Sequence, residues 1–92
     1  MFEEHENESY KNESIQLDGK SFKKCTFFRC RLQYAGQAAV KLANNSIEES
    51  SWEFIDAAQR TIGFMADLYR GGMKEVIEDT FENIRQGKPI IH

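Results

Sequence analysis

A beat of five residues constrains this chain more than any other feature of its sequence. Every fifth position from Leu17 onward gives Leu17, Phe22, Phe27, Leu32, Gln37, Leu42, Ile47 and Trp52, apolar at every place but Gln37, while the residues between are mostly polar. An α-helix repeats its faces every 3.6 residues and a strand every 2, so neither produces this pattern. A chain that runs extended for a few residues, turns a corner and repeats does produce it, with every fifth side chain inside. A second inward row two residues earlier would hold Ile15, Cys25, Cys30 and Val40, with exceptions at Lys20, Asn45 and Ser50.

Ninety-two residues make a single domain, too few for two independent cores. Twelve basic against 15 acidic residues leave a net charge of −3, which excludes no common partner. No apolar run reaches the roughly 18–20 residues that a membrane helix needs, and MFEEHENESY has neither the basic region nor the apolar core of an export signal. A cytoplasmic protein without membrane attachment is expected, with Cys25 and Cys30 as reduced thiols.

Residues 1–13, carrying Glu3, Glu4, Glu6, Glu8 and Glu13, read as a solvated acidic arm that Phe2 and Tyr10 could pin only in part. Asp18-Gly19 signals a turn, and KSFKKCTFFRCRLQY up to Tyr34 is β-like in composition. Ala35-Gly36 marks a break, and a second pass follows in the same phase through Trp52, with Asn44-Asn45 suited to a left-handed corner. These features predict a β-coil of about two turns over residues 14–54.

Helical spacing then takes over. Ala58, Thr61, Ile62, Met65, Leu68 and Tyr69 define one apolar stripe over 56–70, with Asp56 placed to cap its start and Arg70 suiting the helix dipole at its end. Gly63 within it suggests a close approach by another backbone. Gly71-Gly72 separates a second stripe of Met73, Val76, Ile77, Thr80, Phe81 and Ile84, which Gly87 and Pro89 should stop. Residues 55–92 are therefore expected to form a helical hairpin. The predicted fold is α+β, a short right-handed β-helix-like coil capped by that hairpin. Because one coil end would be covered by helix and the other left with unpaired strand groups, a homodimer through the free end is expected.

The segment SIQLDGKSFKKCTFFRCRL, with SSWEFIDAAQRTIGFMADLY and VIEDTFENIR after it, is similar to a group of small bacterial proteins of unknown function with a short pentapeptide-repeat-like segment and a helical tail. It resembles more loosely the pentapeptide-repeat proteins, whose inward positions are Leu or Phe and, two residues earlier, Ala or Cys. The resemblance spans about residues 14–86. It implies a right-handed β-helix and, through the company such proteins keep, a bacterial source associated with mobile elements. It implies no activity.

Candidate chemistry is sparse. A structural zinc site needs four ligands, and Cys25 and Cys30 are accompanied only by His5 and His92 at opposite ends of the chain, so the thiols read as core filling. The acidic run Glu48, Glu49, Glu53 and Asp56 has no nucleophile or histidine beside it, and Gly19-Lys20-Ser21 lacks the remainder of a phosphate loop. No catalytic residue, metal or cofactor is assigned. Lys20, Lys23, Lys24, Arg29 and Arg31 interleave with Phe22, Phe27 and Phe28, a look shared by nucleic-acid surfaces. Lys23, Lys24, Arg29 and Arg31 would form an outward basic stripe, either solvated or paired with acidic residues, and Phe28 the outward aromatic beside it. Tyr34, Trp52 and Tyr69 are candidates to line a cleft at a dimer seam. The sequence thus favours a non-catalytic module that binds a protein partner of unknown identity, with a nucleic-acid-associated protein or a small-molecule binder as alternatives.

Overall fold

The computed structural model describes residues 1–88, so Pro89 and His92 lie outside the described residues. The chain divides into two compact units, Met1–Gln59 and the part from Arg60 onward.

In the first unit the chain makes three passes, each contributing three short strands. The first pass holds β1 (Glu3–Glu6), β2 (Ser9–Lys11) and β3 (Ser14–Gln16). The second holds β4 (Lys20–Lys23), β5 (Thr26–Phe28) and β6 (Arg31–Tyr34), and the third holds β7 (Lys41–Ala43), β8 (Ser46–Glu48) and β9 (Ser51–Phe54). Equivalent strands pair in parallel into three sheets, β1-β4-β7, β2-β5-β8 and β3-β6-β9. Register places His5, Phe22 and Leu42 in one column, Tyr10, Phe27 and Ile47 in the next, and Ile15, Leu32 and Trp52 in the third.

The corners stack as well. Asn7, Lys24 and Asn44 adopt positive φ between the first two sheets, and Asn12, Arg29 and Glu49 between the second and third. Gly19, Gly36 and Asp56 do so after the third sheet. In a left-handed residue the Cβ crowds the following carbonyl, at a cost of about 1–2 kcal/mol, which interactions along each column offset at several of the non-glycine corners. Corner backbones supply them: Asn7 N–H donates to Lys23 O at 3.0 Å and Lys24 N–H to Ala43 O at 3.0 Å, while Asn12 N–H donates to Phe28 O at 3.0 Å and Arg29 N–H to Glu48 O at 3.1 Å.

Two expectations are corrected here. Residues 1–13 are not a solvated arm, because β1 and β2 lie within them and pair with β4 and β5, and Tyr10 packs on the core. The strand region consequently makes three passes rather than about two. Spacing explains the misreading: 17 residues separate His5 from Phe22 but 20 separate Phe22 from Leu42, so the first pass is three residues out of phase with the beat.

All three sheets feed one core of Ile15, Leu17, Phe22, Cys25, Phe27, Cys30 and Leu32. Phe22, Phe27 and Leu32, from the middle pass, are at most 1% exposed. Gln37 breaks the beat because residues 35–40 form no strand; Ala35 is buried there in its place and Gln37 is exposed. Leu42 and Trp52 were expected inside, yet they are 44% and 52% exposed, since among the described residues no fourth pass follows the third.

Helix α1 (Asp56–Arg70) starts on the first unit. Ala58 N–H donates to Ala35 O at 3.0 Å, and a Cβ on Gly36 would come within 3.0 Å of Ala58 N, so Gly36 answers both a φ of +77° and a tight approach. Asp56, expected to cap the start of α1, stands in its first turn with a φ of +50°, outside the β region usual for an N-cap.

In the second unit α1 continues to Arg70, and Gly71 and Gly72 turn the chain into α2 (Lys74–Gln86). Gly87 ends α2 in a left-handed conformation, its N–H donating to Ile84 O at 3.1 Å, while Lys88 N–H donates to Asn83 O at 2.9 Å. Within this unit only Ile77 and Thr80 are buried among the described residues. Thr80 donates its hydroxyl to Val76 O at 2.9 Å. Among the described residues Gly63 has no neighbour within 4 Å where a Cβ would stand, which corrects the expected close approach. No helix among the described residues is long and apolar enough to cross a membrane.

Candidate functional site

Each expected site residue can now be placed. Lys23 ends β4, Lys24 turns the next corner, Arg29 turns the one after it, and Arg31 opens β6, so the four cations wrap two corners of the middle pass. Carboxylates of the neighbouring passes accompany three of them at 3.9 Å: Glu6 beside Lys23, Glu49 beside Arg29 and Glu53 beside Arg31. Pairs this exposed contribute little stability. They do cancel the local field that a phosphate backbone would need. The acidic first pass thus supplies one partner, while the other two come from the third pass. Among the described residues Lys24 has no ion-pair partner.

Phe28 is half-buried, in register with Lys11 and Glu48. Lys11 Nζ lies 5.8 Å and Arg29 Cζ 5.0 Å from its ring centroid, so two cations occupy the face that a partner would use.

Of the expected cleft residues, Tyr34 and Trp52 lie two positions apart in the register of β6 and β9, on the same side by strand alternation. Phe54 pairs directly with Tyr34 and is 52% exposed. Tyr69 belongs to the second unit, where it lines a groove of about 360 Å³ between α1 and α2 with Ile62, Met65, Ile77 and Phe81. Lys74 Nζ stands 5.8 Å from the Tyr69 ring.

Both cysteines are buried and unbridged. The Cys25 thiol donates to Lys23 O at 3.5 Å and that of Cys30 to Phe28 O at 3.5 Å. Among the described residues no group of three or more His, Cys, Asp or Glu side chains is arranged to hold a metal ion.

Sequence reasoning missed three polar devices that shape this region. Asp18 takes Ala35 N–H on Oδ1 at 2.8 Å, and Gln37 and Ala38 N–H on Oδ2 at 2.8 and 3.3 Å, so one carboxylate organises the irregular segment of the next pass. Burial pushes its pKa up, but the three backbone donors outweigh burial and hold it below the ordinary aspartate value. Asn45 accepts from Cys25 N–H at 2.8 Å and donates to Phe22 O at 3.0 Å, and Ser50 accepts from Cys30 N–H at 3.0 Å. Two of the three apparent faults in the inward row, Asn45 and Ser50, are therefore side chains that satisfy backbone groups of the preceding pass.

The remaining candidate is the far end of the core. Leu42, Trp52 and Phe54 are exposed at 44%, 52% and 52% and Ile47 is partly buried, directly above the fully buried Phe22, Leu32 and Phe27. Among the described residues no further strand pairs with the outer backbone edge of β7, β8 and β9 on the third pass. Comparison with protein-family models, with curated proteins and with solved structures gives no match, so the functional argument rests on this geometry.

Proposed function

We propose that the chain is a non-catalytic protein-interaction module that acts as a homodimer through its third pass. The observation that carries this reading is the apolar end formed by Leu42, Ile47, Trp52 and Phe54 beside three unpaired strand edges. An exposed cluster of large apolar side chains is a docking surface or an aggregation hazard. The occupant is a second copy. Strand edges on three sides at fixed spacing match the end of another coil of the same cross-section, and two third passes meeting face to face give a closed two-fold contact. Pairing a third pass with a first would propagate without closure, and the first pass carries Glu3, Glu4, Glu6, Glu8 and Glu13.

In this reading the three sheets belong to a right-handed β-helix-like coil of the kind that the resemblance to pentapeptide-repeat proteins implies. The exposed apolar residues of the third pass become covered when two copies associate. The cytoplasm, which keeps Cys25 and Cys30 reduced, is the compartment.

Analytical ultracentrifugation tests the proposal. The wild-type chain should sediment as a dimer at tens of micromolar, and Leu42→Glu with Trp52→Glu should give a monomer whose circular dichroism is unchanged. A wild-type monomer, or a variant that still dimerises, overturns it. DNA binding with a steep salt slope, abolished by charge reversal at Lys24 and Arg29, would instead support a nucleic-acid role.

A further inference from the structure

The near end of the core closes on a histidine. At the column position where the later passes place Phe22 and Leu42, the first pass places His5, its ring stacked on Phe22 with centroids 5.1 Å apart and planes at 15°. Both ring nitrogens face carboxylates: Nε2 lies 2.6 Å from Glu3 Oε2, and Nδ1 lies 3.3 Å from each oxygen of Glu8. Glu8 also accepts the Tyr10 hydroxyl at 2.5 Å, and Tyr10 stacks on Phe27 at 5.1 Å and 12°.

This geometry favours a charged ring. A neutral imidazole has one N–H and one lone pair, and a lone pair aimed at an ionised carboxylate repels it, whereas an imidazolium donates from both nitrogens. Glu8 is shared, so whatever loosens His5 also loosens Tyr10, the second ring over the core. We propose that Glu3, His5, Glu8 and Tyr10 form a proton-operated latch on the first pass, holding β1 and β2 over Phe22 and Phe27 while His5 is charged and releasing them when it is neutral.

Other charged groups face the cluster from each neighbouring element. Glu4, Glu6, Ser21 and Lys23 line a depression of about 190 Å³ beside His5, with Lys23 3.9 Å from Glu6. Lys20 lies at the start of β4, the Cys25 thiol donates to His5 O at 3.6 Å, and Glu13 acts on Tyr10. The net effect of the surroundings matches the geometry. The hydrogen bond to Glu3, opposed by partial burial and aided by Glu8, raises His5 above its ordinary 6.5. The stabilisation it provides is complete below pH 6.5 and is lost as pH rises through the folded-state value. Glu8 is lowered from 4.5, first by the Tyr10 hydroxyl, so its contribution is present above that value and is lost as pH falls through the lower folded-state one. The first pass is therefore held most firmly in mildly acidic solution.

Amide exchange on the full chain tests the latch, read by NMR between about pH 5.5 and 8, the range in which histidine is the unperturbed side chain that changes charge. Protection of residues 3–11, corrected for intrinsic exchange and referred to β5, should fall as pH rises. The total fall should equal the ratio of the His5 acid constants in the open and closed chain, obtained from the ring-proton titration after His92→Gln removes the second histidine signal. His5→Phe, which continues the Phe22 column, should make protection independent of pH. Constant protection in the wild type, or an undiminished fall in His5→Phe, overturns the proposal. Should His5→Phe not fold, Glu3→Gln must lower the His5 titration and shrink the fall together, and a Glu3→Gln profile identical to the wild type would refute the latch.

Discussion

Replacing Asp18 with alanine should destabilise the first unit by about 2–4 kcal/mol, far more than an ordinary change at a turn. The carboxylate takes three backbone N–H groups from the segment that joins the second pass to the third, and the bond from Ala35, itself 0% exposed, lies in partly buried surroundings. Stranding one such buried donor costs about 1–3 kcal/mol, whereas the Gln37 and Ala38 amides can turn to water and lose about 0.5–1.5 kcal/mol each at most. Asp18→Asn should recover little, since its amide would set one N–H₂ group against the same donors. Because the Asp18 pKa is depressed, the wild-type advantage should be present above the unfolded aspartate value of about 3.9 and vanish as pH falls through the folded one. Urea denaturation followed by far-ultraviolet circular dichroism at neutral and acid pH reads both effects, with the midpoint shifting at constant slope. An Asp18→Ala protein within about 0.5 kcal/mol of wild type would refute the assignment of this carboxylate as organiser of the segment.

Position along each column should set the cost of truncation. Phe27→Ala, in the fully buried middle pass, should cost about 3–5 kcal/mol, while Leu42→Ala at the exposed end should cost under about 1 kcal/mol to monomer stability, both read by urea denaturation. Asn45→Ala leaves Cys25 N–H without its acceptor and should cost about 1–3 kcal/mol by the same measurement. Cys25 and Cys30, at 1% and 3% exposure, should resist an alkylating reagent in the native protein and react at once in denaturant, as mass spectrometry would show.

Much of this architecture can be read from the chain because its inner columns are strongly apolar where they are deepest. Phe22, Phe27 and Leu32 keep a strict beat, and both helices have apolar stripes bounded by glycine, so α1 and α2 fall where periodicity puts them. The first pass escaped the pattern because its inward side chains, His5 and Tyr10, are polar-tipped, stand among glutamates and run out of phase with the rest. Leu42 and Trp52 keep the beat without being buried, since periodicity reports which way a residue points and not whether another layer covers it. Asp18, Asn45 and Ser50 act on backbone groups 17 to 23 residues away, a relation set by the stacking of passes that no local pattern encodes. The basic stripe was legible as composition, but its partners Glu49 and Glu53 lie one pass later and become neighbours only on folding.

The claim that a second copy covers the third pass is open to direct observation. In an isotope-filtered nuclear Overhauser experiment on an equal mixture of labelled and unlabelled chains, the account predicts intermolecular cross-peaks to the Trp52 indole and the Leu42 methyls. Cross-peaks confined to single chains at a concentration where the protein is dimeric would contradict it.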